Sequence, residues 1–235
     1  MQRTKQRNSN YVKKCEENMK NSVIKNVKLS PKNASQMEAL KIIKNNQISF
    51  LIGAAGTGKT YLSVMCAIEW LLKGFYDKVI LTRPVVEAGE KLGSLPGSYT
   101  EKISPYMDPI FNTIGKYMSK NLYNGLMTDG KIEVKPLAYM RGTTFDNSII
   151  ICDEFQNASN DQLLMVLTRI GENSKIIITA DPDQTDLKSN QNILKISSGL
   201  SEIEGIGIHL FSEEDIVRNP LIKEILFVFK NLNID

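Results

Sequence analysis

Residues 49–60, S-F-L-I-G-A-A-G-T-G-K-T, have the residue types and spacing needed to hold a polyphosphate. An apolar run (Ile48, Phe50, Leu51, Ile52) breaks into Gly53, Ala54, Ala55, Gly56, Thr57 and Gly58, then Lys59 and Thr60, and a helical pattern follows. This is the G-x-x-x-x-G-K-[ST] phosphate-binding loop in strand-to-helix context. Glycines let the backbone curl so that successive N–H groups point at an anion, and the following helix adds the positive end of its dipole. In that setting Lys59 reaches the β- and γ-phosphates and the Thr60 hydroxyl takes Mg²⁺, so the expected ligand is ATP with its metal. A glycine-rich turn that binds nothing would not require all of these positions to be filled.

Two further groups fit the same chemistry. Asp153 and Glu154 follow the apolar run 148–152 directly. Asp153 is expected to help hold Mg²⁺, and Glu154 to polarise an attacking water as general base. Asp181-Pro182-Asp183-Gln184 follows the run 175–179, and the neutral amide of Gln184 can bond both a γ-phosphate and the nucleophilic water. Asp-Pro-Asp is equally a turn former.

These groups must be carried by particular elements. Strands are expected at about 47–52, 78–82, 132–135, 148–152, 175–179 and within 206–211. Helices are expected from a capping box at Asn33-x-x-Gln36, over 59–73 with Lys73-Gly74 closing it, near 100–119, from the capping box Ser159-x-x-Gln162 to about 170, and after Asn219-Pro220. All-apolar strands alternating with helices imply an α/β fold, a mostly parallel sheet covered on both faces, with the ligand at the strands' carboxyl ends. Residues 85–146, with Gly89, Gly93, Gly97 and the turn Met140-Arg141-Gly142, break the rhythm. They read as an insertion after the second core strand that carries function rather than a separate domain, too loop-rich to enclose a core of its own.

At 235 residues, 42% hydrophobic and 23% charged, the composition is that of an ordinary globular chain. No apolar run approaches the ~18 residues of a bilayer span, so no membrane is expected as partner. The first ten residues carry charge with no apolar stretch behind it, which does not fit a secretory leader. Cys15, Cys66 and Cys152 are odd in number and widely spaced; reduced thiols in the cytoplasm are expected rather than a metal site or disulfide frame. The net charge of +3 is uneven: residues 1–30 hold eight Lys/Arg and two acids, leaving 21 basic and 24 acidic residues elsewhere. A basic arm over 1–29 followed by a domain over 30–235 is expected. Such an arm suits nucleic-acid phosphates, or is simply a solvated terminus.

The runs G-A-A-G-T-G-K-T, L-T-R-P-V-V-E-A-G-E-K-L-G-S-L-P-G, P-L-A-Y-M-R-G-T-T, I-I-I-C-D-E-F-Q-N, T-A-D-P-D-Q-T-D-L and D-I-V-R-N-P-L together resemble the PhoH family over about residues 30–232. The resemblance implies a single RecA-like P-loop NTPase domain related to the first domain of superfamily-one helicases. It further implies ATP hydrolysis coupled to RNA or single-stranded nucleic acid, and self-assembly into a homo-oligomeric ring, with a hexamer favoured. It suggests that Gln36 reads the adenine edge, against the capping role its spacing from Asn33 gives it. The chain departs from the family pattern at Ala54, Phe155 and Ala180, none of which carries a proposed chemical group.

An arginine that neutralises the transferring phosphoryl group contributes ~10³–10⁵ in rate. Helicases of this superfamily take it from a second core domain, so here it is expected in trans from a neighbouring subunit or is absent. Arg218, in E-D-I-V-R-N-P-L, is the first candidate by resemblance to the helicase arginine motif, and Arg169 the second; either could equally be a surface ion-pair former. Arg83 and Arg141 are candidate nucleic-acid contacts, with Tyr99, Tyr106, Tyr139 and Phe145 as stacking platforms or core. His209 sits in a strand pattern and reads as structural. Three functions compete: an oligomeric nucleic-acid-dependent ATPase with RNA-remodelling or helicase activity, a small-molecule kinase, and a nucleotide-gated scaffold with little turnover. The scarcity of clustered arginine in 85–146 argues against the kinase.

Overall fold

The computed structural model describes residues 29–84, 99–185, 193–217 and 228. The basic arm to residue 28, the glycine-rich stretch 89–97, Arg218 and the helix expected after Asn219-Pro220 lie outside the described residues.

The strands are β1 (Ile48–Ile52), β2 (Lys78–Thr82), β3 (Ile132–Val134), β4 (Ser148–Cys152), β5 (Lys175–Ala180) and β6 (Ile206–Leu210). They form one sheet in the order β3-β2-β4-β5-β1-β6, with every pairing parallel. Runs such as Ile149-Ile150-Ile151 feed both faces at once, as a doubly covered parallel sheet requires. Leu51, Leu81, Ile151 and Ile177 pack on one side, and Phe50, Ile80, Ile150 and Ile178 on the other.

The first face is covered by α1 (Ala34–Asn45), α2 (Lys59–Leu72), α3 (Tyr99–Tyr117) and α4 (Lys120–Thr128). The second carries α5 (Asn160–Leu167) and α6 (Ile193–Leu200). The expected insertion does not stand apart. Met107, Ile110, Ile114 and Met118 bury themselves in the same core as α2, and β3 joins the sheet beside β2. Each such side chain contributes ~1.5–3 kcal/mol on burial, which holds α3 in place despite Pro105 and Pro109 within it.

Two helix starts test the expected capping chemistry. Ser159 and Gln162 form the full reciprocal box at the start of α5. At α1 only half forms: the Asn33 side chain accepts the Gln36 N–H at 2.8 Å, but the Gln36 side chain turns elsewhere. Its Oε1 accepts the Lys32 N–H, and its Nε2 donates to the Thr57 carbonyl at 2.9 Å. A buried amide satisfied by the glycine loop replaces the exposed back-bond that sequence spacing predicts.

Candidate functional site

The glycine loop leaves β1 at the carboxyl edge of the sheet and re-enters as α2. Gly58 is the residue before α2, with φ 93°. A Cβ on Gly53 would lie 2.7 Å from the Phe211 backbone oxygen and has no room, and one on Gly58 would lie 2.6 Å from Gln36 Nε2, so the amide would have to shift. Lys59 is only 7% exposed and folds back across the loop, donating to the carbonyls of Gly53 at 2.5 Å and Ala54 at 2.8 Å. The Thr57 hydroxyl donates to the Ala54 carbonyl, and the Val217 N–H to that of Gly56. The loop is thus fixed by hydrogen bonds from the residues it encloses and from the chain segment that runs past it.

β5 lies between β1 and β4, so Thr179 stands between the glycine loop and the acidic pair. Asp153, 1% exposed, accepts the Thr60 hydroxyl at 2.7 Å and the Thr179 hydroxyl at 2.7 Å on the same oxygen, Oδ1. Its Oδ2 is buried without a hydrogen-bond partner, with the Arg83 guanidinium 3.8 Å away. Burial raises the Asp153 carboxyl above the ordinary range and the Glu154 charge adds to this, while the two hydroxyls and Arg83 pull it back.

Glu154 adopts a left-handed backbone (φ 55°, ψ 43°), a conformation that costs a non-glycine residue ~1 kcal/mol or more. Its N–H donates to the Thr179 hydroxyl and its Oε2 accepts from Gln156 Nε2 at 2.6 Å. Gln156 is itself buried. Its Nε2 also donates to the Gln184 carbonyl, and its Oε1 accepts the Asp181 N–H at 2.9 Å. One amide thereby joins the acidic strand end to the Asp-Pro-Asp-Gln turn. Asp181 is buried too; desolvation raises its carboxyl, chiefly against the pull of the nearby Lys59 charge.

These groups line one cleft of about 610 Å³, bounded by Gln36, Lys59, Thr60, Arg83, Asp153, Glu154 and Gln184, together with Ala55, Gly56 and Gly58. α3 supplies the opposite wall through Pro109, Thr113, Lys116 and Tyr117. Tyr117 meets Tyr61 with ring centroids 5.5 Å apart, and burial followed by the Tyr117 hydrogen bond pushes the Tyr61 hydroxyl up to about 12. Arg141 is exposed in the turn before Gly142 and does not line the cleft. Arg169 bonds the Met165 carbonyl and the Thr168 hydroxyl at the end of its own helix. Tyr139 is exposed, Phe145 is buried in the core, and Tyr106 is half-buried. His209 pairs with the Ser35 hydroxyl at 2.8 Å. Among the described residues no group of three or more His, Cys, Asp or Glu could hold a metal, and no helix is long and apolar enough to cross a membrane.

Sequence reasoning passed over Thr179, Gln156 and the Tyr61–Tyr117 wall, and read Asp181 only as part of a turn. Gln156 and Thr179 lie inside the motif runs themselves, but their partnerships follow from β4 lying beside β5, which no local spacing states.

A parallel sheet that carries a glycine loop, a Lys-Thr pair and an acidic strand end along one edge is the RecA-like P-loop ATPase fold. Solved structures agree: the large terminase from a thermophilic bacteriophage superposes with a TM-score of 0.53 over 84% of this chain and 50% of its own, at 12% identity. The ADP complex of that terminase gives 0.51 over 82% of this chain and 48% of its own, again at 12% identity. At such identity the likeness is one of fold.

The sequence comparison is more particular. The profile of PhoH-like proteins matches residues 28–230. A PhoH-like protein of Synechocystis is 43% identical over 83% of this chain and 60% of its own length, and one from Bacillus subtilis is 42% identical over 93% and 68%. Protein PhoH of Escherichia coli is 39% identical over 84% and 57%. The chain belongs to the family of PhoH-like proteins, and spans about three fifths of the length of these relatives.

Proposed function

We propose that the cleft binds ATP with Mg²⁺ and hydrolyses it, and that turnover is coupled to RNA or single-stranded nucleic acid in a homo-oligomer. The observation that carries this reading is the Thr60–Asp153 hydrogen bond at 2.7 Å, made in the same cleft as Lys59 and Glu154. The buried, unpartnered Oδ2 of Asp153 fits a cation, and a hydroxyl beside a carboxylate is the donor pair that Mg²⁺ takes in such loops. When bound, Mg²⁺ supplies charge neutralisation on the phosphates, held by Thr60 and Asp153.

The remaining steps fall to the chain's own groups. Backbone N–H groups of 53–58 and the ammonium of Lys59 hold the phosphates. Glu154, oriented by Gln156, takes a proton from a water whose oxygen bonds to the γ-phosphorus. The bond from that phosphorus to the β,γ-bridging oxygen breaks, and its electron pair leaves with ADP. Gln184, which lines the cleft, would bond the γ-phosphate or that water, and Gln36, which lines it too, would read the adenine edge. The exposed Arg141 and Tyr139 offer an ion-pairing and stacking pair for a single strand. The nucleic-acid coupling and the ring are what the resemblance to the PhoH family implies.

Two measurements test the reading. Phosphate release from ATP with no acceptor added should rise on adding single-stranded RNA. The solution mass should increase on adding Mg-ATP. Turnover indifferent to RNA contradicts the coupling, and a monomer under all conditions contradicts the ring.

A further inference from the structure

The family's helicase relatives imply an arginine borrowed from elsewhere, yet one already stands in the cleft. β2 lies next to β4 with Thr82 opposite Cys152, so Arg83 leaves β2 at the same level as Asp153 leaves β4. The Asp153 N–H bonds the Thr82 carbonyl, fixing that adjacency. The Arg83 side chain is 23% exposed and lines the cleft with Lys59, Thr60 and Glu154. Its Nη1 donates to the Tyr106 carbonyl on α3 at 3.2 Å and lies 3.8 Å from the unpartnered Oδ2 of Asp153.

We propose that Arg83 is the arginine that neutralises the transferring phosphoryl group, supplied in cis, and that its bond to Tyr106 passes the state of the γ-phosphate to α3. This deepens the hydrolysis reading and rests on it. A guanidinium carries five N–H donors in a planar fork. Arg83 holds α3 with one end of that fork and has donors left for an oxyanion. In a half-desolvated cleft such a charge acts more strongly than at an exposed surface. Asp153 offers no competing well-formed hydrogen bond at 3.8 Å, so a terminal phosphate can draw the guanidinium to itself. The shift this requires is transmitted to the Tyr106 turn of α3, whose later turn carries Tyr117 against Tyr61 on α2. Nucleotide state is thereby felt along the whole of α3, which forms one wall of the cleft.

The test uses the full chain with Arg83→Ala, Arg83→Lys and Glu154→Gln. Arg83→Ala is expected to lower the rate of ATP hydrolysis by about 10³-fold and to leave ADP affinity within about threefold. Affinity for ADP–aluminium fluoride, a mimic of the transferring phosphoryl group, should fall far more than affinity for ADP. A purely structural arginine would weaken both nucleotides alike. Arg83→Lys keeps a positive charge beside Asp153 and so preserves the fold should the alanine variant lose it; it is expected to lose most of the same rate, because the fork is gone. Mixing Arg83→Ala with Glu154→Gln should restore no activity, since no subunit then holds both groups; recovery of turnover in the mixture would place the arginine in trans and overturn the inference. Retention of more than about a tenth of the rate by Arg83→Ala would overturn it as well. A native chain without turnover would fail the hydrolysis reading itself, which separates that failure from one of Arg83 alone.

Discussion

The Thr60 hydroxyl donates to Asp153 Oδ1 at 2.7 Å across 93 positions of sequence, so the residue that ends the glycine loop meets the residue that follows β4. Because Thr179 binds the same oxygen from β5, the carboxylate is clamped and its second oxygen is left facing Arg83.

Asp153→Asn removes the charge while keeping the shape and one acceptor for the two hydroxyls. Nucleotide affinity in EDTA should be little altered, and the gain in affinity on adding Mg²⁺ should fall by at least about tenfold, a loss on the order of 1.4 kcal/mol. Titration of a fluorescent ATP analogue with and without Mg²⁺ checks it. An undiminished Mg²⁺ effect would remove Asp153 from the metal's coordination.

Gln156 joins Glu154, Asp181 and Gln184 through three hydrogen bonds. Gln156→Ala leaves the Asp181 N–H and Gln184 carbonyl without this partner, so unfolding free energy should fall by ~1–3 kcal/mol. It also releases Glu154, so turnover should fall by about tenfold or more with ATP affinity unchanged. Denaturant unfolding beside steady-state kinetics separates the two effects. A stability loss with normal turnover would make Gln156 a packing residue only.

Gln36 Nε2 occupies the space that a side chain at 58 would take: a Cβ there would sit 2.6 Å from it, at φ 93°. Gly58→Ala should cost ~1–2 kcal/mol from backbone strain and clash together. Adding Gln36→Ala should relieve the clash and leave the strain, so the double variant should be less destabilised than the two single changes summed. Strict additivity in thermal unfolding would mean that the contact is slack.

Much of the fold was legible from local pattern. Strand runs such as Lys78–Thr82 and Ser148–Cys152 are short, β-branched and bounded by turn residues, and they occur where expected. α4 and α6 were not expected. The first, K-N-L-Y-N-G-L-M-T, mixes two asparagines and a glycine into nine residues, and the second carries Ser-Ser-Gly in eight; tertiary burial of Leu126 and Ile193 overrides their weak propensity. Likewise the residues within a motif could be read, since the loop chemistry dictates type and spacing. Partnerships across strands, such as Thr179 with Asp153, and the docking of Tyr117 on Tyr61 depend on sheet order and on where α3 packs. Gln36 shows the boundary: its place one turn into α1 was legible, but the Thr57 carbonyl that claims its amide was not.

The most direct test of ATP hydrolysis in this cleft is phosphate release by Glu154→Gln beside the native chain, with nucleotide affinity measured on both. Glutamine keeps the size and one acceptor but cannot take the water's proton. The native chain should turn over Mg-ATP, and the variant should bind it within about threefold as tightly while losing at least about 10²-fold in rate. Unchanged turnover in the variant would contradict the account at its centre.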